Sequence, residues 1–91
     1  MISRQGNALM IVGELNFATV VQLWRKSLPL LANIHDLHFD FSQVTHSNSA
    51  ALALILEWVK YAKQHQKSIH FSSIPPQLLS IAQVSGVEKF F

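Results

Sequence analysis

Ser47, Asn48 and Ser49 stand where the chain passes from polar to strongly apolar sequence. Thr45 and His46 precede them, and Ala50-Ala51-Leu52-Ala53-Leu54-Ile55-Leu56 follows. That order reads as the end of a strand, a loop of hydroxyl and amide residues, and the first turns of a helix. The first N–H groups of a helix lack internal partners, and its dipole adds partial positive charge there. Such a corner can hold an anion, carry a phosphorylated hydroxyl, or receive a polar group of a partner. Phosphorylation of Ser49 would add roughly −1.5 to −2 charge units. The plainer alternative is a serine that serves only as a cap or first-turn residue.

Other chemically capable residues form no comparable constellation. Ser42, His38 and Asp40 can be drawn as a triad, but no nucleophile elbow or oxyanion loop accompanies them. His35, His38, His46, His65 and His70 are dispersed, with no third ligand at metal-site spacing. There is no glycine-rich phosphate loop, so any nucleotide chemistry belongs to a partner. Trp24 and Trp58 read as core or core-edge residues. The expectation is a non-enzymatic protein without metal or cofactor.

The elements that must position the corner follow from periodicity. Residues 1–5 form a short edge strand, Gly6-Asn7 a turn, and residues 8–12 a buried strand, together a hairpin. Gly13-Glu14-Leu15-Asn16 breaks the strand, with Asn16 as a helix N-cap. Phe17, Val20, Val21, Leu23, Trp24 and Leu28 fall at helical spacing. Pro29 ends that helix near Ser27 or bends it for one more turn. Leu37, Phe39 and Phe41 alternate with His38 and Asp40 as a strand over residues 37–41. The helix after the corner spans about 48–65. Its buried stripe is Ala51, Leu52, Ile55, Trp58, Val59 and Ala62, with Ala50, Ala53, Glu57, Lys60 and Gln64 opposite. Ser68–Ser72 is a strand, and Pro75-Pro76 opens a helix through Leu78, Leu79, Ala82 and Val84 that Gly86 ends. Residues 87–91 are a short strand or an apolar tail. The order predicts a single α/β domain over residues 1–91, with a mixed sheet of four to five strands and three main helices.

Bulk properties set limits on this reading. The 91 residues suit one domain, 49% are hydrophobic and only 13% charged, so a packed core is expected. So low a charge density also hints at apolar surface that a partner covers. Seven Lys+Arg against five Asp+Glu are spread along the chain, leaving no nucleic-acid footprint. There are no cysteines, no secretory pattern at the start, and no apolar run near the roughly 20 residues that span a bilayer. A soluble cytoplasmic protein is expected.

At this point the chain resembles a STAS domain, the fold shared by sulfate-transporter C-terminal regions and anti-sigma-factor antagonists. The carriers are Gly13-Glu14-Leu15, Asp40-Phe41-Ser42-Gln43-Val44, Asn48-Ser49-Ala50-Ala51-Leu52-Ala53-Leu54 and Ala62-Lys63. The family's loop usually runs Asp, Ser or Thr, a small residue, Gly, Leu. Here Asn48 stands at the Asp position and Ser49 at the hydroxyl that is phosphorylated in the antagonists. Ala50 and Ala51 replace the small residue and the glycine, and Leu52 matches the leucine. Within the family, Gly13-Glu14-Leu15 followed by Leu23-Trp24, with the Leu-Ala-Leu-Ile-Leu continuation, is similar to the STAS subunit of Mla-type ABC transporters. Those transporters maintain outer-membrane lipid asymmetry by moving phospholipid.

The resemblance implies a cytoplasmic subunit, peripheral to the inner membrane through its complex, that binds and regulates or stabilises the transporter ATPase. The implied contact is Ser49 with Thr45, His46, Ser47, Asn48, Ala50 and Ala53. The alternative is an anti-sigma-factor antagonist switched by phosphorylation of Ser49. Asn48 keeps the size and capping ability of Asp but not its charge, which favours a constitutive contact over a phospho-switch. Ala51 in place of glycine disfavours a positive φ, so the helix should start cleanly at Asn48 or Ser49.

Overall fold

The computed structural model describes residues 1–85. The elements run β1 (Ile2–Gln5), β2 (Ala8–Leu15), α1 (Val20–Leu31), β3 (Asp36–Ser47), α2 (Ser49–Gln64), β4 (Ser68–Ser72) and α3 (Pro76–Ser85). The strands form one sheet in the order β1-β2-β3-β4. β1 and β2 make the antiparallel hairpin that the Gly6-Asn7 turn predicts, and β2-β3 and β3-β4 are parallel. Among the described residues the sheet has four strands, the lower of the two expected numbers. The expected helix stop at Gly86 and the segment 87–91 lie outside the described residues.

Register explains which sheet face is buried. Leu9, Phe39 and Phe71 line up across β2, β3 and β4 on the helix-covered face. One residue on, Met10, Asp40 and Ser72 line up on the open face, because side chains alternate with period two. Below the helices Trp58 of α2 stacks on Phe39 at a centroid distance of 4.1 Å and meets Phe41 edge-on at 6.5 Å. The predicted α2 stripe, Ala51, Leu52, Ile55, Trp58, Val59 and Ala62, is buried throughout. Trp24 is half-buried and packs edge-on against Tyr61, so both tryptophans take core or core-edge places.

One polar side chain, Ser27, lies inside this core among the described residues. Ser27 is fully buried, accepts a hydrogen bond from the Trp58 indole N–H at 3.0 Å and donates to the Trp24 carbonyl at 2.7 Å. Burying an indole N–H without an acceptor is costly, and Ser27 supplies that acceptor. Pro29 does not end α1, which runs on to Leu31 with the proline on its exposed side.

Three boundaries differ from expectation, each for a local reason. β2 does not break at Gly13 but continues to Leu15, and Gly13 takes φ +102° at a register irregularity with β3. Asn16 caps a turn rather than α1 itself. Its Oδ1 accepts from the Ala18 and Thr19 amides, and the helix proper begins at Val20 with Thr19 as N-cap. Most consequential, residues 42–47 are not a loop. They extend β3 to Ser47, pairing with β2 as far as Leu15. β3 carries one extra residue at each of two irregularities, between the Met10 and Val12 pairs and between the Gly13 and Glu14 pairs. Bulges of this kind increase twist and bend a strand; Gln43 and His46 stay paired with β2, Ser42 and Thr45 fall at the irregularities, and all four are exposed.

Candidate partner-docking site

The corner is built by one residue. The Asn48 amide donates to the Leu15 carbonyl at 3.2 Å, tying it to the end of β2. Its side-chain Oδ1 accepts from the Ala50 amide at 2.8 Å, and its backbone is extended, the geometry of a helix N-cap. α2 then starts at Ser49, the second of the two starts, Asn48 or Ser49, that the alanine at position 51 leads us to expect. At its far end α2 closes with Gln66 at φ +55°, its amide on the Lys63 carbonyl and the Lys67 amide on the Ala62 carbonyl. That pattern is a Schellman motif with glutamine where glycine is usual. Lys67 Nζ also donates to the Ile34 carbonyl at 2.7 Å, which holds this end of α2 to the segment entering β3.

Because Asn48 does the capping, Ser49 is not needed for it. Ser49 is exposed, and its hydroxyl makes no hydrogen bond among the described residues. Ala53, one turn on, is exposed, as are Glu57, Lys60 and Gln64. Ala50 is a correction: it is 1% exposed and offers nothing to a partner. Successive residues turn by about 100° around a helix, which swings Ala50 from the outer line of Ser49 and Ala53 toward the side that Leu54 buries.

Thr45, His46 and Ser47 belong to a different recess from Ala53. They line an open cleft of about 390 Å³ with Val44, Pro75, Pro76 and Gln77, between the end of β3 and the start of α3. Thr45 is the extra residue of the second irregularity, so the period-two alternation is broken there and Thr45 and His46 are both exposed. Ala53 instead lines a groove of about 240 Å³ with Val20, Val21, Trp24, Leu54 and Glu57. The α1 half of that groove is missing from the sequence-level site. Its signal was there: Phe17, Val20, Val21, Leu23, Trp24 and Leu28 span a wider arc than one sheet face buries, and Phe17 and Val21 end 73% and 51% exposed.

The paper triad does not assemble. His38 Nε2 lies 3.0 Å from Ser72 Oγ rather than Ser42, and the Asp40 carboxylate accepts from the Ser42 amide at 2.8 Å. Among the described residues no three His, Asp or Glu side chains group as metal ligands, and no helix is long and apolar enough to cross a membrane.

Comparison with known proteins places this geometry. A family model described as Mlab, STAS domain, matches residues 1–91. The chain is similar in structure to the anti-sigma factor antagonist SpoIIAA in its unphosphorylated form, with 15% identity and a TM-score of 0.78, over 99% of this chain and 83% of that one. The phosphorylated form of SpoIIAA, a Bacillus cell fate determinant, gives 15% identity and a TM-score of 0.74 over 99% and 86% of the two chains. A crystal structure of Mglu gives 14% identity and a TM-score of 0.64, over 84% of this chain and 20% of that one. At these identities the likeness establishes the mixed sheet with its helices, and nothing about partners. No curated protein matches the chain.

Proposed function

The chain belongs to the Mlab STAS-domain family, and from that premise we propose that it is a non-catalytic subunit that docks on the ATPase of an Mla-type phospholipid ABC transporter and regulates or stabilises it. The contact is the corner at the start of α2, centred on Ser49, with Asn48 and Ala53 beside it and Thr45, His46 and Ser47 at its β3 side. The observation that carries this reading is the exposed Ser49 hydroxyl, without a partner among the described residues on a helix already capped by Asn48. Conformationally fixed backbone around an unsatisfied hydroxyl is a preorganised polar contact, which lowers the ordering cost of binding. Ala53 one turn away lets a partner's backbone approach closely. The neutral Asn48 removes a carboxylate that would repel acidic groups or assist phosphate chemistry.

Ser49→Arg puts a long cation at the centre of the contact without touching the core. The variant is expected to fold normally by circular dichroism and to fail to co-purify with the co-expressed ATPase. A folded Ser49→Arg domain that co-purifies at wild-type yield overturns the site.

A second reading is supported by the same exposure. A hydroxyl at the first position of a helix is open to a kinase, and its phosphate would lie in the favourable end of the helix dipole. In that reading the chain is an anti-sigma-factor antagonist whose partner is a serine kinase that also binds the sigma factor. Intact-mass measurement after incubation with such a kinase separates the two readings, since a missing phosphate on Ser49 removes the second.

A further inference from the structure

The face of the sheet turned away from the helices carries side chains that the proposed docking corner does not use. His38 of β3 and His70 of β4 are register partners. Adjacent strands lie about 4.8 Å apart, and register partners project to the same face. Leu37, Phe39 and Phe71 beside them in sequence are buried on the helix side, so both imidazoles stand on the open face, and both are exposed. Two imidazoles fixed side by side are nitrogen ligands suited to divalent ions such as Cu²⁺ and Zn²⁺. We propose that this pair binds such an ion, through Nδ1 of His38 and the ring of His70, with water in its remaining positions. So bound, the ion ties β3 to β4 on the side that the helices leave open.

Hydrogen bonding sets one of the rings. The Ser72 hydroxyl donates to the Phe39 carbonyl at 3.5 Å, so toward His38 it is an acceptor. Nε2 of His38, 3.0 Å from Ser72 Oγ, therefore carries the ring hydrogen, and the lone pair is on Nδ1. A metal-ligating histidine commonly donates its other N–H in this way, which fixes the ring and its tautomer. His70 makes no hydrogen bond among the described residues, so its ring is free to turn to the same ion. Charge selects a cation. Asp36 and Asp40 lie two residues to either side of His38 and so share its face. Asp36 accepts from the Ser68 hydroxyl, and Asp40 from the Ser42 amide at 2.8 Å. No third ligand closes a cage among the described residues, so the two carboxylates act through their field. The neighbouring cations are turned elsewhere, Arg4 Nε to the Gly6 carbonyl at 3.1 Å and Lys67 Nζ to the Ile34 carbonyl at 2.7 Å. Mg²⁺ and Ca²⁺ require sets of oxygen ligands, which a pair of imidazoles does not supply.

The test titrates the untagged, metal-free chain with Cu²⁺, followed by electron paramagnetic resonance, and with Zn²⁺, followed by calorimetry. One ion per chain is expected, with nitrogen hyperfine splitting from a pair of imidazoles. The Kd is expected to weaken at least about tenfold in His38→Ala and in His70→Ala, and about tenfold in Ser72→Ala, which releases the His38 ring. His35→Ala and His65→Ala are expected to bind as the wild type does. His70 is exposed and without a hydrogen bond among the described residues, so His70→Ala is expected to fold, with circular dichroism as the check. Because the ion joins two strands of the folded chain, Zn²⁺ should also raise the melting temperature of the wild type but not of His70→Ala. Wild-type affinity in a folded His38→Ala or His70→Ala chain overturns the site, as does splitting from a single imidazole. Equal weakening in His65→Ala, competition by Mg²⁺ as effective as that by Zn²⁺, or no binding by the wild type overturns it too. Wild-type affinity in Ser72→Ala overturns the assignment of Nδ1 as the ligand.

Discussion

Asn48 joins the sheet to the proposed docking corner, and its replacement tests the fold and the proposed site together. Its side chain contributes one capping bond to Ala50 at 2.8 Å, while its backbone bonds to Leu15 and Ala51 do not depend on the side chain. Asn48→Ala therefore removes one helix-end partner and nothing else. Water replaces part of it, since the residue is exposed, so the loss is about 1 kcal/mol. In a domain of this size that lowers the melting temperature by about 4–8 °C. Asn48→Asp keeps the oxygen and adds negative charge at the positive end of the α2 dipole. It is expected to stabilise the domain by about 0.3–1 kcal/mol at low ionic strength. That gain should shrink as salt screens it. Thermal unfolding followed by circular dichroism, at low and high salt, measures both variants. The order Asp above Asn above Ala at low salt is expected, with the first two converging at high salt. An alanine variant as stable as wild type, or an aspartate variant less stable at low salt, would refute the capping role and with it the argument that Ser49 is left free.

Further outcomes follow from the same geometry. Ser27→Ala leaves the buried Trp58 indole N–H without its acceptor and should cost about 1–3 kcal/mol in urea unfolding; adding Trp58→Phe should recover part of that loss, and no recovery would count against the bond. Gly13 sits at φ +102° with open space around a would-be Cβ, so Gly13→Ala should destabilise by about 1–3 kcal/mol through backbone strain alone. Gln66 occupies the left-handed position of the α2 terminus, so Gln66→Gly should raise stability by about 0.5–1 kcal/mol, visible as a higher urea midpoint. Ala50→Arg forces a charge into a buried position and should unfold most of the population, whereas Ala53→Arg on the exposed line should stay within about 0.5 kcal/mol of wild type.

Much of the molecule is decided by periodicity that any reader of the chain can extract. Alternation at Leu37, Phe39 and Phe41 and the stripe from Ala51 to Ala62 specify a strand and a helix that can bury their apolar faces only on each other. Asn48 before a run of helix formers specifies where α2 begins, since its oxygen satisfies an amide the helix cannot. Local pattern also shows where apolar residues exceed the space for them, as in the wide arc of α1.

Other features depend on distant partners. Residues 42–47 read as a loop because their side chains are polar, and they are a strand because β2 supplies hydrogen bonds beside them, out to Leu15. Ser27 looks like any helix-surface serine until Trp58, 31 positions away, is brought within 3.0 Å of it. Ala50 and Ala53 are equivalent by composition, and only the seating of α2 on the sheet buries one and exposes the other. Side-chain type and spacing determine which elements form, because those preferences act over a few residues. Which surface each element hides, and so which corner and groove a partner can reach, is decided when elements far apart in sequence exclude water from one another.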